Sequence, residues 1–141
     1  MTTANKTVIT IESTITAPVE KVWKLWSTPT DICKWNSPSP DWHTPFATND
    51  LRVGGRFSSR MEAKDGSMGF DFGGTYDEVK TNETIAYTMD DNRTAKINFE
   101  PKGASTKVTI AFDAEEVNSI EMQRGGWQAI LDNFKKYAEN N

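Results

Sequence analysis

The longest helical pattern in the chain lies near its C-terminus, between Asn118 and Ala138. Apolar side chains recur there at every third or fourth position, with charged and polar side chains between them. Asn118 is predicted to cap the helix, and Glu121, three residues later, completes a capping box. The pattern predicts one long amphipathic helix that lies with its apolar stripe against a large apolar surface. The stripe consists of Trp127, Ile130, Leu131, Phe134 and Tyr137.

A pair of glycines, Gly125 and Gly126, interrupts this pattern just before Trp127. Each glycine inside a helix costs roughly 1 kcal/mol relative to alanine, so the pair costs about 2 kcal/mol. As a defect in a packed core, the pair is a pure loss. We interpret the pair as the floor of a pocket beneath Trp127, and we expect void volume beside this segment.

Alternating apolar and polar positions predict β-strands in most of the remaining chain. The first strand covers residues 7–16, where Ile9, Ile11 and Ile15 face one side. Asp65-Gly66 predicts a type I′ turn between two later strands. These later strands are expected at residues 42–48, 57–62, 68–77, 85–89, 95–99 and 108–112.

Two short helices are predicted directly after the first strand. Pro18 suits the first turn of a helix, where its missing N–H costs little, and Trp23 and Trp26 lie on a short helical stripe. Pro29 interrupts this stripe, and residues 31–35 add a second short turn. The whole pattern predicts an α+β fold in which a curved antiparallel sheet of six or seven strands wraps around the long C-terminal helix.

Composition narrows the range of partners. The chain has 141 residues, of which 36% are hydrophobic, and we expect one domain spanning residues 1–141. The net charge of −4 argues against binding to nucleic acid or to an anionic membrane surface, since both attract clustered Lys and Arg. No apolar run approaches the ~18 residues of a membrane-spanning helix, so membrane insertion is not expected.

Two further features concern the compartment and the assembly of the protein. The N-terminal residues lack the apolar segment of a signal peptide, and the single cysteine, Cys33, excludes an intrachain disulfide. We therefore expect a cytoplasmic protein. The polar side of the C-terminal helix offers no clear association surface, so we expect a monomer or a weak dimer.

Residues with catalytic chemistry form no recognisable constellation. His43 is the only histidine, and no nucleotide-binding or hydrolase motif occurs. The side chains of Arg52, Arg56 and Arg60 fall on the polar side of one strand, either as surface charges paired with acids or as a small anion site. We expect no catalytic residue, no metal and no cofactor. An enzyme would have to use a few polar groups, namely Ser59, Tyr76, Tyr87 and His43.

The apolar faces of the predicted strands are rich in aromatic residues, which either fill a core or line a cavity. A packed core is the more ordinary interpretation of the pattern alone. Four small residues favour a cavity, because they remove side-chain volume where packing is thickest: Gly125, Gly126, Gly74 and Ser59. The candidate ligand-binding residues are Trp35, Phe57, Met61, Phe70, Phe72, Tyr76, Tyr87, Ile97, Phe99, Gly126, Trp127 and Ile130.

Short motifs, in order along the chain, resemble those of START-like (SRPBCC) domains. Residues 17–23 (APVEKVW) resemble their opening motif, and Trp35 is similar to the tryptophan that closes their first helical segment. Residues 50–57 (DLRVGGRF) resemble a turn typical of one branch, which is related to the C-terminal domain of the activator of the 90-kDa heat shock protein ATPase. Residues 74–79 (GTYDEV) resemble a strand of the family, and residues 126–131 (GWQAIL) the start of its long last helix.

This resemblance implies a helix-grip fold, in which the antiparallel sheet holds the C-terminal helix around an apolar pocket. Relatives in the superfamily bind lipids, sterols, polyketides or plant hormones, and a few are enzymes. The first hypothesis is a stand-alone START-like domain that binds a small hydrophobic ligand, such as a lipid, a polyketide or an aromatic metabolite. The alternatives are a cyclase or hydrolase that uses the same cavity, and a chaperone-associated interaction module.

The chain departs from the family pattern at two places. The heat-shock activator carries an additional N-terminal domain, whereas about seven residues precede the first strand here, so we expect that domain to be absent. Chaperone binding therefore ranks last among the three hypotheses. The commoner double tryptophan is replaced by Lys34-Trp35-Asn36, so a pocket wall of two indoles is expected to contain one.

Overall fold

An antiparallel sheet organises the structure, a computed structural model that describes residues 7–141. Within these residues the sheet has seven strands in the order β1-β7-β6-β5-β4-β3-β2. The elements are β1 (Val8–Ile15), α1 (Val19–Ser27), α2 (Pro29–Trp35), β2 (Trp42–Asn49), β3 (Arg56–Ala63), β4 (Gly69–Lys80), β5 (Thr84–Met89), β6 (Thr94–Lys102), β7 (Ser105–Asp113) and α3 (Ile120–Glu139). Strands β2 to β7 form a meander, and β1 joins it beside β7. The predicted α+β helix-grip fold is confirmed, with seven strands and two short helices after β1.

The core lies where β1 and β7 meet the C-terminal half of α3. In the antiparallel register Ile11 pairs with Ile110 and Ile9 pairs with Phe112, so alternate side chains of both strands share the inner face. Ile9, Phe112 and Phe134 are fully buried. Each such side chain stabilises the fold by about 1.5–3 kcal/mol relative to an exposed position. This packing fixes one end of the long helix against one edge region of the sheet.

Two prolines set the limits of the short helices. Pro18 occupies the N-cap of α1, and Pro29 begins α2. Because Pro29 cannot donate to the preceding turn, α1 ends at Ser27. The two helices are joined by a buried hydrogen bond in which the Trp35 indole N–H donates to the Leu25 carbonyl at 2.9 Å. That bond fixes the orientation of Trp35 relative to α1.

Helix α3 begins at Ile120, one residue later than the predicted capping box requires. The Ser119 hydroxyl accepts a hydrogen bond from the Met122 N–H at 3.1 Å, so Ser119 is the N-cap and the prediction of Asn118 is wrong. Asn118 instead belongs to the preceding loop, where its carbonyl accepts from the Gln123 side chain at 2.8 Å. The helix continues without interruption through the glycine pair.

The turn between β3 and β4 also differs from its prediction. A type I′ turn needs positive φ at both central residues, but only Gly66 has it, with φ of 79°. The Gly66 N–H donates to the Ala63 carbonyl at 3.0 Å, and the Asp65 carboxylate accepts from the Ser67 N–H at 2.8 Å. The connection is therefore longer than a two-residue hairpin loop.

The arginines on the outer face of β3 and the turn before it are paired with carboxylates. Arg56 donates to both oxygens of Asp90 at 2.9 and 3.0 Å, and Arg60 Nε lies 2.8 Å from Glu62 Oε2. Arg52 pairs in the same way with Asp50. The pairing favours the surface-charge interpretation over an anion site. None of the helices in residues 7–141 combines the length and the apolar character that crossing a membrane requires.

Candidate functional site

A cavity of about 510 Å³ separates the N-terminal half of α3 from the sheet. Helix α3 lies closest to the sheet at β1, so part of the inner face of β3 to β6 is left facing open space. Helix α2 and the end of α1 close one side. The apolar residues that line the cavity are Trp26, Ile32, Trp35, Pro38, Phe57, Met61, Phe70, Phe72, Tyr76, Ile85, Tyr87, Ile97, Ile110, Gly126, Trp127 and Ile130.

Of the two glycines predicted to form the floor of the pocket, Gly126 lines the cavity and Gly125 does not. A Cβ atom built on Gly125 or on Gly126 meets no heavy atom within 4 Å. Gly74 has another role than the one expected. Its Cβ would lie 2.5 Å from the Thr88 carbonyl oxygen, so glycine there permits close approach of β4 and β5 and does not enlarge the cavity.

Four aromatic rings from three strands form the main wall of the cavity. Phe57 lies at the centre, with its ring centroid 4.7 Å from Tyr87, 5.1 Å from Tyr76 and 5.7 Å from Phe72. The contact with Tyr87 is edge to face, the arrangement that aromatic quadrupoles favour. These rings buttress one another, so the wall has a defined shape.

Trp127 forms the opposite wall. Its indole stacks on Phe112 and meets Phe72 edge to face, with centroids 6.1 Å apart. Because Phe112 belongs to β7 and Phe72 to β4, the indole bridges two strands on either side of the cavity. It is only partly buried by these contacts.

The wall near α2 contains two indoles, whereas the sequence predicted one. Trp35 is the residue that the motif identified, and Trp26 on α1 supplies the second, with ring centroids 4.7 Å apart. The helical stripe of α1 predicted that Trp26 faces inward. It did not predict that Trp26 reaches the cavity, because that depends on how α2 folds back against α1. Ile32, Ile85 and Ile110 also line the cavity and were not among the candidates.

All the candidate ligand-binding residues except Phe99 line the cavity. The Phe99 ring packs against Trp23 at 5.3 Å and Trp26 at 6.0 Å, in the core beneath α1. Phe99 and Ile97 share one face of β6, as predicted, but α1 covers the sheet at Phe99 and leaves it open at Ile97. Phe99 therefore lies outside the cavity.

The four polar candidates for catalysis lie in different environments. The Tyr76 hydroxyl donates to Asn49 Oδ1 at 2.6 Å, and Asn49 in turn donates to the Ser27 carbonyl at 2.6 Å. His43 lies outside the cavity, with its Nε2 atom 3.8 Å from a Glu62 oxygen. Ser59 and Tyr87 line the cavity. The four residues do not form one constellation.

Charged groups occur at one end of the cavity, where it meets a smaller pocket of about 200 Å³. Arg93 and Glu115 line both spaces. The Arg93 side chain donates to Asp91 Oδ2 at 2.7 Å and to the Asp113 carbonyl at 3.3 Å. Across the described part of the chain, no three His, Cys, Asp or Glu side chains converge as metal ligands do.

Comparisons with known proteins identify the family of the chain. The family model described as Activator of Hsp90 ATPase homolog 1-like protein matches residues 16–139. The chain belongs to this family. The predicted resemblance to the START-like superfamily is confirmed by that match and by the fold. A comparison with curated proteins gives no match.

Solved structures of similar proteins show how closely the family fold is kept. The solution structure of the AHSA1-like protein from Aeromonas hydrophila is 45% identical, with a TM-score of 0.89 over 95% of this chain and 93% of that one. A protein from Cytophaga hutchinsonii is 55% identical, with a TM-score of 0.81 over 94% and 92%. A protein from Nitrosomonas europaea shares the fold at 22% identity, with a TM-score of 0.81 over 94% of each chain.

Proposed function

We propose that the protein binds a small, largely apolar molecule in the cavity between α3 and the sheet. The observation that carries this proposal is the cavity itself, with about 510 Å³ of space and a wall of aromatic side chains. Pockets for small molecules are usually roughly 300–1,000 Å³, mostly apolar, with a few polar groups. The cavity has each of these properties.

The arrangement of the helix supports ligand binding over simple packing. Filling the space with larger side chains would add buried apolar contacts, and cavities in cores lower stability in proportion to their volume. Gly126 does the opposite, because it gives up helix propensity and leaves the space open. An apolar ligand in this space would restore the missing contacts.

Titration with fluorene, followed by two-dimensional NMR of the ¹⁵N-labelled protein, tests the proposal. Fluorene is a rigid hydrocarbon that is small relative to the cavity. We expect the largest shifts at the Trp127 and Trp35 indole N–H groups and at Gly126. Shifts confined to residues outside the cavity, or none at saturation, would contradict the proposal. Native mass spectrometry of protein purified from its own cells would then identify the bound molecule.

The family description provides a second candidate function, contact with the Hsp90 chaperone. Its test is the rate of ATP hydrolysis by Hsp90 with increasing amounts of this protein. A dose-dependent rise would support the chaperone function, and an unchanged rate would leave ligand binding as the function of the domain.

A further inference from the structure

Two buried side chains that line the cavity, Tyr87 and Ser59, carry hydroxyl groups that the fold does not use. We propose that the ligand carries a neutral oxygen acceptor, such as a carbonyl, and that the Tyr87 hydroxyl donates a hydrogen bond to it, with Ser59 as a second donor. This inference rests on the proposed function and specifies the chemistry of the ligand. The ligand is thus a neutral amphiphile and not a plain hydrocarbon or an acid.

Both hydroxyl-bearing side chains are buried without a partner. Tyr87 is 7% exposed and Ser59 is 5% exposed, and both line the cavity. Among residues 7–141, neither hydroxyl group makes a hydrogen bond. Every side-chain nitrogen or oxygen atom in these residues that is completely shielded from solvent does have a hydrogen-bond partner. The two hydroxyls therefore keep an accessible surface, and the cavity is the space that they face.

Packing alone does not account for a tyrosine at position 87. The ring of Tyr87 contacts Phe57 and Phe72, and a phenylalanine would make the same contacts. Tyr76, its neighbour in the β4–β5 register, has its hydroxyl bonded to Asn49. A buried polar group without a hydrogen-bond partner is destabilising, so the free hydroxyl of Tyr87 points to a partner that binds in the cavity.

The surroundings favour a neutral acceptor over a carboxylate. Burial raises the pKa of Tyr87 well above its usual range, so the phenol keeps its proton and remains a donor. Of the described residues that line the cavity, the only charged ones are Arg93 and Glu115, which have opposite signs. Arg93 already donates to Asp91 and to the Asp113 carbonyl. A carboxylate would have to share Arg93 with Asp91, whereas a neutral acceptor needs no counter-charge.

A matched pair of probes tests the inference. Fluorene and 9-fluorenone share one ring skeleton. Fluorene has a methylene group at the position where 9-fluorenone has a carbonyl group. Dissociation constants are measured by NMR titration for the wild type, Tyr87→Phe and Ser59→Ala. We expect Tyr87→Phe to weaken fluorenone binding by roughly 3- to 10-fold, the usual range for a lost hydrogen bond, and Ser59→Ala to weaken it less. Fluorene binding should stay within about 2-fold in both variants.

Tyr137→Phe is the control, since Tyr137 does not line the cavity and its hydroxyl is bonded to Asp31 within the protein. It should not change the ratio of the fluorenone and fluorene affinities. An unchanged fluorenone affinity in Tyr87→Phe, or an equal loss for both probes, would overturn the inference. Tighter wild-type binding of fluorene-9-carboxylate than of fluorenone would overturn the assignment of a neutral head group. If none of the probes bound the wild type, the proposed function would fall and this inference with it.

Discussion

The indole ring of Trp127 stacks on the ring of Phe112 with centroids 3.9 Å apart and an interplanar angle of 8°. Phe112 is fully buried in β7, so this stack attaches α3 to the sheet directly beside Gly126. The indole also meets Phe72 edge to face. A single side chain therefore fixes the helix and forms a wall of the cavity.

The first prediction concerns the energy of that stack. In a double-mutant cycle with Phe112→Leu and Trp127→Leu, we expect a coupling energy of about 0.5–1.5 kcal/mol, the range for aromatic pairs. Urea unfolding monitored by circular dichroism measures it. A cycle of Phe99→Leu with Trp127→Leu is the control, because Phe99 packs against Trp23 and Trp26. Equal coupling in the two cycles would contradict the assigned role of the stack.

Periodicity predicted which face of each element lies inward but not what covers that face. The alternation of β6 placed Ile97 and Phe99 on one side, and both are buried. Only Ile97 lines the cavity, because α1 crosses the sheet at Phe99. The curvature of the sheet and the path of α1 and α2 decide this, and neither is encoded in a local pattern.

Local motifs failed where two neighbouring residues could perform the same task. Asn118 and Ser119 both suit an N-cap. The selection of Ser119 follows from contacts of the loop, in which the Gln123 side chain bonds to the carbonyl groups of Glu115 and Asn118. Likewise, the unbonded hydroxyl of Tyr87 could not be recognised from the sequence, because it depends on where Asn49 and the other polar groups lie.

The second prediction separates these two capping candidates. Ser119→Ala removes the acceptor for the Met122 N–H and should lower the free energy of unfolding by about 1 kcal/mol. Asn118→Ala keeps the backbone carbonyl that Gln123 contacts, so it should change the free energy of unfolding by no more than about 0.5 kcal/mol. Urea unfolding of both variants measures the difference. A larger loss in Asn118→Ala would restore the capping box predicted from the sequence.

The third prediction concerns alkaline pH. The Tyr137 hydroxyl donates to Asp31 Oδ1, and this hydrogen bond, with partial burial and the charge of the carboxylate, raises the pKa of Tyr137 to about 12. An unfolded tyrosine titrates near pH ~10. The stabilisation is therefore complete below pH ~10 and is lost as the pH rises through about 12, because the unfolded chain releases the proton first.

Tyr137→Phe removes this titration. The variant should be less stable than the wild type below pH ~10, and the difference should shrink between pH ~10 and ~12. Urea midpoints measured at intervals from pH ~8 to ~12 give both curves, and the remaining tyrosines contribute equally to each. Parallel curves across this range would show that the bond between Tyr137 and Asp31 does not contribute to stability.

The decisive variant for the ligand cavity is Gly126→Leu, with Gly125→Leu as its matched control. At both sites a Cβ atom would have open space around it, and leucine is the better helix former by up to about 1 kcal/mol. Both variants should therefore fold at least as stably as the wild type. The two variants differ in where the added side chain lies, because position 126 lines the cavity and position 125 does not.

The most direct measurement is fluorene affinity in these two variants and the wild type, determined by NMR titration of each. We expect Gly126→Leu to lose at least about 10-fold in affinity, because its side chain occupies the space of the ligand, and Gly125→Leu to stay within about 2-fold. Equal affinity in all three proteins, with the fold intact, would contradict a ligand site beneath Trp127.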